Sequence, residues 1–259
     1  MDFTKKDQIM GIVNVTPDSF SDGGKYSDVA AAIAHGKQLV ADGADILDIG
    51  GQSTRPGYQE VSPEIELARI IPVIEGLKSL AVPISVDTYF PEVAKGAIQA
   101  GASIINDIKG LDTPDMAETL AKYPEVKIII MHSRKRNSQS LAVGLADFYA
   151  EKIALCEKVG ISLANICFDP GVGFGKSAAE NIELVRYPEK YRFENYPILY
   201  GISRKRTIGH LTGEEQADQR DFGSVTASLF LLNQGIEIVR VHNVFGMKQA
   251  LKTWRSLVD

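Results

Sequence analysis

The feature of this sequence that most restricts its fold is a regular alternation of two hydrophobic patterns. Eight short apolar runs, rich in β-branched residues and typical of strands buried on both faces, alternate with segments of helical spacing. The predicted strands are residues 9–15, 45–49, 84–87, 103–107, 127–131, 166–169, 198–202 and 236–241. The predicted helices are residues 29–41, 64–80, 91–100, 115–122, 147–159, 179–186, 218–233 and 245–257. Eight βα units predict an α/β fold of the (β/α)8 TIM-barrel type, and their regularity favours this fold over a doubly wound open sheet.

Length and composition indicate one domain, residues 1–259, in a reducing compartment. No Pro/Ser-rich linker or low-complexity segment interrupts the chain, and its length suits a single barrel. Cys156 and Cys167 have no metal-ligand spacing, which favours a packing role. The first residues lack the apolar core of a signal peptide, and no uncharged apolar run could span a membrane, so we expect a cytoplasmic protein without a membrane partner. A net charge of −5 argues against a general nucleic-acid partner.

The predicted barrel also predicts where the chemistry lies, because active sites of this fold form at the carboxyl ends of the strands. The first strand ends at Asn14, and a loop with turn-forming residues and two carboxylates, Asp18 and Asp22, follows it. An amide and carboxylates at such a tip can hold a hard cation and the anion bound to it. The alternative is an ordinary strand-to-helix connection that uses these residues only for turns.

Polar residues also follow the next three predicted strands. After the second strand, Thr54 offers a hydroxyl and Arg55 a planar fork suited to phosphate, although a solvated loop is the alternative. The third and fourth strands end in Asp87 and Asn106, and a carboxylate at an apolar strand end needs a hydrogen-bonding partner. A heterocycle with N–H donors would provide one. The alternative, which applies most to Asp107, is that these side chains tie neighbouring strands together.

The last three predicted strands supply a further carboxylate and several cations. Asp169 closes the sixth strand, and Phe174 follows it either beside a pocket or in the core. After the seventh strand, Lys205 is placed to donate to a ring carbonyl. Arg240 and His242 alternate along the end of the eighth strand, so both can project to one side and meet the same anion. Barrels commonly bind phosphate at the loops after strands seven and eight.

These motifs resemble those of the dihydropteroate synthase family of pterin-binding enzymes, which sulfonamides inhibit. The run NVTPDSFSDGG (residues 14–24) is similar to the first signature of the family, and GGQSTRPG (residues 50–57) is similar to the second. The residues at the ends of strands three, four, six, seven and eight agree in the same order, so the resemblance covers essentially the whole chain. It implies condensation of 6-hydroxymethyl-7,8-dihydropterin diphosphate with p-aminobenzoate to give 7,8-dihydropteroate and pyrophosphate, in folate biosynthesis.

The resemblance also implies roles for individual residues. The catalytic positions would be Arg55, Asp87, Asp169 and Lys205. The substrate-binding positions would be Thr54, Pro56, Asp87, Asn106, Asp169, Phe174, Lys205, Arg240 and His242. A Mg²⁺ ion would lie near Asn14 and Asp22 and help to neutralise the departing pyrophosphate. Members of the family are commonly homodimers, so we expect one here.

The sequence departs from the family pattern at three places. Gln52 stands where a Glu is expected, Arg206 stands where a small Ser is common, and the basic run at residues 133–137 replaces a Gly- and Pro-containing segment. Two other functions stay open at this point. A pterin-binding barrel that transfers methyl groups to a corrinoid partner would share the carboxylate and amide residues, but it would have little use for Asn14, Arg55, Arg240 and His242. A catalytically inactive relative could bind pterin or act as a scaffold for a folate-pathway complex, and the departures at residues 133–137 and Arg206 would mark it.

Overall fold

The computed structural model describes residues 2–15, 24–52, 60–135 and 139–258, with the backbone alone at 24–27. The strands within these ranges are β1 (Gln8–Asn14), β2 (Ile46–Gly50), β3 (Ile84–Asp87), β4 (Ile104–Asp107), β5 (Lys127–Met131), β6 (Ile166–Asp169), β7 (Leu199–Tyr200) and β8 (Ile238–Val241). The α-helices within them are α1 (Gly24–Ala41), α2 (Pro63–Leu77), α3 (Pro91–Ala100), α4 (Met116–Leu120), α5 (Leu141–Val159), α6 (Ala178–Arg186), α7 (Arg206–Thr212), α8 (Asp221–Asn233) and α9 (Val244–Val258).

The strands form one parallel sheet that closes on itself. Their order is β6-β5-β4-β3-β2-β1-β8-β7, and every neighbouring pair is parallel. A parallel bridge between Phe168 and Ile198 joins the two ends, and the Phe168 N–H donates to the carbonyl oxygen of Pro197 at 3.0 Å. The sheet is therefore a (β/α)8 barrel, as predicted, and the open-sheet alternative is wrong.

The barrel interior has an apolar half and a polar half. One buried cluster fills the half near the amino ends of the strands: Phe3, Met10, Ile46, Ile104, Ile129, Cys167, Leu199 and Ile238. Since side chains alternate along a strand, the residues two positions further along point into the same interior. On β2, β4 and β8 these residues are Asp48, Asn106 and Arg240. The apolar layer seals one end of the barrel, so the polar layer at the carboxyl ends is open to ligands.

The predicted elements agree with the observed ones except in the details of a few. Helix α5 begins at Leu141, six residues before the predicted start, because the Ser140 side chain accepts a hydrogen bond from the Val143 N–H and caps the helix. The prediction missed α7, whose seven residues are too few to show a clear periodicity. Strand β7 is only two residues long. The single-domain assignment stays a prediction. No helix among the described residues is long and apolar enough to cross a membrane.

Candidate active site

The carboxyl ends of β2, β3, β4 and β8 meet in one network of charged and amide side chains. The guanidinium of Arg240 donates from Nε to Asp48 Oδ2 at 2.5 Å and from Nη2 to Asp87 Oδ2 at 3.2 Å. Asn106 Nδ2 donates to the same Oδ2 of Asp48 at 3.2 Å. Asp48, Asp87 and Asn106 are buried, and Arg240 is partly buried. Arg240 thus supplies the positive charge that lets two carboxylates share this interior.

Three oxygen atoms of this network are buried and have no hydrogen-bond partner in the part of the chain that the structure describes: Asp48 Oδ1, Asp87 Oδ1 and Asn106 Oδ1. A buried acceptor that lacks a hydrogen bond is costly, so such atoms are the expected partners of ligand N–H groups. The structure places both predicted residues, Asp87 and Asn106, side by side, since their Cα atoms are in register on β3 and β4.

Burial changes the charge state of the predicted carboxylate on β3. It raises the pKa of Asp87 to about 7, with smaller contributions from Asp48 and Asp107, while Arg240 acts in the opposite direction. Although burial disfavours the charge of Arg240, the carboxylates of Asp48 and Asp87 raise its pKa. The network therefore has a fixed cation, and its carboxyl at position 87 changes charge near neutral pH.

The predicted residues of β6 and of the segment after β7 form a second group at the carboxyl ends of the strands. Asp169 Oδ1 accepts the N–H of Gly171 at 2.7 Å, and burial raises the pKa of Asp169. Lys205 Nζ donates to the carbonyl oxygen of Val172 at 2.5 Å and lies 4.7 Å from the centre of the Phe174 ring. Burial lowers the pKa of Lys205 to about 8, and the Asp169 carboxylate partly offsets it. The amine of Lys205 therefore changes charge slightly above neutral pH.

The histidine after β8 is oriented by a serine. Ser203 Oγ accepts the His242 backbone N–H at 3.2 Å and lies 2.9 Å from His242 Nδ1. The hydroxyl has one hydrogen and two lone pairs, so it can hold Nδ1 in either tautomer of the ring. Arg240 and His242 are both partly buried, and that they meet one anion stays a prediction.

Three residues next to the predicted site residues have structural partners. The carboxylate of Asp107 accepts the backbone N–H groups of Lys109 and Leu111, both at 2.8 Å, so it closes a turn after β4. Arg204 forms a bidentate ion pair with Asp221 at 2.6 and 2.9 Å. Gln52 is buried, and its Oε1 accepts the Val61 N–H at 3.3 Å.

The basic run at residues 133–137 is described only up to Lys135. Its Arg134 is bound by Asp112 and Glu151 at 2.5 to 2.7 Å, so this part of the run contributes a structural ion-pair network. Arg206 is exposed at the first residue of α7.

Part of the predicted site lies outside the described residues. This holds for Asp18, Asp22, Thr54, Arg55 and Pro56. Asn14 is described, and its exposed amide stands at the end of β1. Among the residues that the structure describes, no group of three or more His, Cys, Asp or Glu side chains could hold a metal ion. The predicted Mg²⁺ site at Asn14 and Asp22 therefore stays a prediction.

Sequence reasoning missed Asp48 and Ser203. Asp48 stands inside the apolar run of β2, where a charge must be paired to be buried, and this was the available signal. The local sequence could not reveal its partners, because they come from β4 and β8. For Ser203 the sequence carries no comparable signal.

Comparison with known proteins places this geometry in a family. Residues 10–242 match the family of pterin binding enzymes. The dihydropteroate synthase of Neisseria meningitidis serogroup C is 44% identical, over 97% of this chain and 93% of the relative. Among solved structures, dihydropteroate synthase from Xanthomonas albilineans with 4-aminobenzoic acid has a TM-score of 0.93 at 44% identity and covers 98% of this chain and 94% of that chain. The same enzyme in complex with 7,8-dihydropteroate has a TM-score of 0.87 at 39% identity over the same shares. The chain therefore belongs to the pterin binding enzymes, and within them to the dihydropteroate synthases.

Proposed function

We propose that the chain condenses 6-hydroxymethyl-7,8-dihydropterin diphosphate with p-aminobenzoate, giving 7,8-dihydropteroate and pyrophosphate for folate biosynthesis. The observation that carries this proposal is a pair of buried acceptors on β3 and β4, Asp87 Oδ1 and Asn106 Oδ1, which have no partner among the described residues. The amine of Lys205 lies close enough to Asp87 to act on its charge. Its support from relatives is the full-length similarity to dihydropteroate synthases, one of which was solved with the product dihydropteroate.

The pterin ring binds between the two sides of the cavity. Asp87, Asn106 and Asp169 accept hydrogen bonds from its ring and amino N–H groups, and Lys205 donates to its carbonyl oxygen. This assignment uses each side chain in the role its chemistry allows, since carboxylates accept and an ammonium only donates. Burial in the barrel makes these bonds specific, because a ring with misplaced donors would leave buried groups unpaired.

The diphosphate lies over the ends of β1 and β8. Arg240 and His242 Nε2 donate to its oxygen atoms, together with Thr54 and Arg55 from the loop after β2. The exposed amide of Asn14 has the hard oxygen that Mg²⁺ prefers, so this residue and Asp22 fit a Mg²⁺ site completed by the diphosphate. Bound there, Mg²⁺ would supply charge neutralisation for the leaving group.

The displacement proceeds by early cleavage of the C–O bond between the methylene carbon and the diphosphate. The bonding electrons leave with pyrophosphate, and Arg240 and His242 stabilise its growing negative charge. The carboxylates of Asp87 and Asp169 stabilise the positive charge that spreads from the methylene carbon into the ring. The arylamine, packed against Phe174 and Pro56, then forms the C–N bond and loses its proton to water. No strong base and no covalent enzyme intermediate is required.

The test is to measure pyrophosphate release and dihydropteroate formation with Mg²⁺, with and without p-aminobenzoate. Asp87→Asn should lower kcat/KM for the pterin substrate by about 10- to 100-fold, because an accepting carboxylate oxygen becomes a donor in a buried site. Asp115→Asn is the matched control, since Asp115 precedes α4 at the surface and makes no side-chain cap bond. Binding of pterin without turnover in the wild-type protein would identify a catalytically inactive relative and refute the proposal.

The protein also acts as a homodimer in this proposal. Helices α8 and α9 pack side by side and expose large apolar side chains: Phe222 is 90% exposed, Leu257 78% and Phe245 56%. Monomeric proteins rarely leave such patches open to water. Sedimentation velocity should give twice the chain mass for the wild-type protein and the chain mass for Phe222→Glu. A monomeric wild-type protein would contradict this assignment.

A cytoplasmic location belongs to the same proposal and is supported by the buried free thiols of Cys156 and Cys167.

A further inference from the structure

Asp48 lies at the centre of the polar layer and contacts two residues of the proposed pterin site. It is completely buried on β2, where Gly50, two residues further along, is in register with Asp87 of β3. Asp48 thus sits one layer deeper in the barrel than Asp87. Its Oδ2 accepts hydrogen bonds from Arg240 Nε and Asn106 Nδ2, at 2.5 and 3.2 Å. Asp48 therefore holds two site residues by hydrogen bonds from the layer nearer the amino ends of the strands.

The contact with Asp48 determines which end of the Asn106 amide faces the cavity. An ionised carboxylate only accepts hydrogen bonds, whereas a carboxamide has a donating and an accepting end. The donating Nδ2 of Asn106 is held by Asp48, so Oδ1 is the end that stays unpartnered among the described residues. Rotating the amide by half a turn would set its oxygen against the carboxylate and leave Nδ2 without its acceptor.

We propose that Asp48 is a positioning residue that holds Asn106 as a hydrogen-bond acceptor and so sets the polarity of the pterin pocket. With Asn106 held in this way, Asp87 and Asn106 present two adjacent acceptors to a ring edge that carries N–H groups. The bond from Arg240 Nε to the same oxygen of Asp48 holds this acceptor in place between the two donors. The inference rests on the proposed function, because it concerns the same substrate site.

The test removes the acceptor at residue 48 and then restores it. In Asp48→Leu, Asn106 Nδ2 and Arg240 Nε lose the oxygen to which both donate, so either end of the Asn106 amide can face the ligand. The dissociation constant of 6-hydroxymethyl-7,8-dihydropterin, measured by calorimetry, should then rise about tenfold or more. In Asp48→Asn, the amide oxygen can take the place of Oδ2 and accept from both donors. This variant keeps the orientation of Asn106, and its dissociation constant should stay within about threefold of wild type.

Asp107→Asn is the matched control. Asp107 is as deeply buried as Asp48 and adjoins Asn106, but its carboxylate accepts from backbone N–H groups of its own turn. This substitution should lower Tm and change the dissociation constant by less than about threefold. A KM for p-aminobenzoate that stays within about twofold of wild type in Asp48→Leu would further separate positioning from general loss of structure.

The possible outcomes separate this inference from the function it rests on. A wild-type protein that does not bind the dihydropterin refutes the proposed function itself. Wild-type affinity in Asp48→Leu, or an equal loss of affinity in Asp48→Leu and Asp48→Asn, refutes only the role of Asp48. Loss of folding in both variants assigns Asp48 a purely structural role and also overturns the proposal. Weakened binding in Asp48→Leu that Asp48→Asn restores supports it.

Discussion

Two side chains in the proposed pterin site should make catalysis depend on pH. Burial raises the pKa of Asp87 to about 7 and lowers the pKa of Lys205 to about 8. In the proposed function, position 87 must be an accepting carboxylate and position 205 a donating ammonium. Rising pH therefore activates the free enzyme through Asp87 and then inactivates it through Lys205. We expect a bell-shaped profile of kcat/KM for the pterin substrate.

The size of the effect follows from the two pKa values. At about pH 7.5, roughly three fifths of the free enzyme carries both required charges. At about pH 6 only roughly one tenth has an ionised Asp87, and at about pH 9 only roughly one tenth has a protonated Lys205. The value of kcat/KM should thus fall to about one sixth of its maximum on each side.

The assay is pyrophosphate release at low pterin substrate, constant ionic strength and saturating p-aminobenzoate. Since the diphosphate itself titrates, calorimetric binding of 6-hydroxymethyl-7,8-dihydropterin, which has no phosphate, is measured over the same range. Lys205→Arg should move the alkaline limb to higher pH, because a guanidinium keeps its proton. Lys127→Arg is the control at the amino end of β5, where its Nζ donates to the Ala164 carbonyl oxygen, and it should keep both limbs. A flat profile between pH 6 and 9, or an alkaline limb unchanged in Lys205→Arg, would refute the reasoning.

Three further substitutions test the structural basis of the site. Burial raises the pKa of the carboxyl of Glu66 on α2 to about 8, so its contribution to stability is complete below about pH 4.5 and is lost as pH rises through 8. In urea unfolding, Glu66→Gln should remove a decrease in the free energy of unfolding of up to about 1.4 kcal/mol per pH unit within that window. An unchanged pH dependence in the variant would contradict this. A Cβ at Gly171, where φ is +69°, would lie 1.9 Å from the His132 carbonyl oxygen, so Gly171→Ala should lower the free energy of unfolding by about 3 kcal/mol or more. Gly160→Ala is the control, because φ there is +85° but no atom lies within 4 Å, and it should cost only about 1 kcal/mol. Equal losses in the two variants would show that the contact at Gly171 is relieved at no cost. Ser203→Ala removes the hydroxyl that holds His242, so KM for the diphosphate substrate should rise about three- to tenfold. Binding of the phosphate-free pterin should not change, and weakened binding of both compounds would assign Ser203 a wider role.

Local sequence patterns predicted most of the fold and several residues of the candidate active site. Burial on both faces makes each strand a short apolar run, so the alternation of strands and helices could be read directly. The same logic identified polar residues at strand ends. The structure joins Asp87, Asn106 and Arg240 in one network through Asp48 and places Asp169 within electrostatic reach of Arg240. Helix α7 escaped because seven residues between two loops give little periodic signal.

The sequence by itself determined which side chains could reach the carboxyl ends of the strands, since alternation along a strand is a local property. Only the closed barrel decided how they combine. Asp48 and Arg240 are 192 positions apart, and Asp48 and Asn106 are 58 apart, yet the barrel brings all three into one layer. The shifted pKa of Asp87 and that of Lys205 also depend on this layer, because burial is their main cause. Partner choice and charge state are set by distances across the barrel, which no local pattern contains.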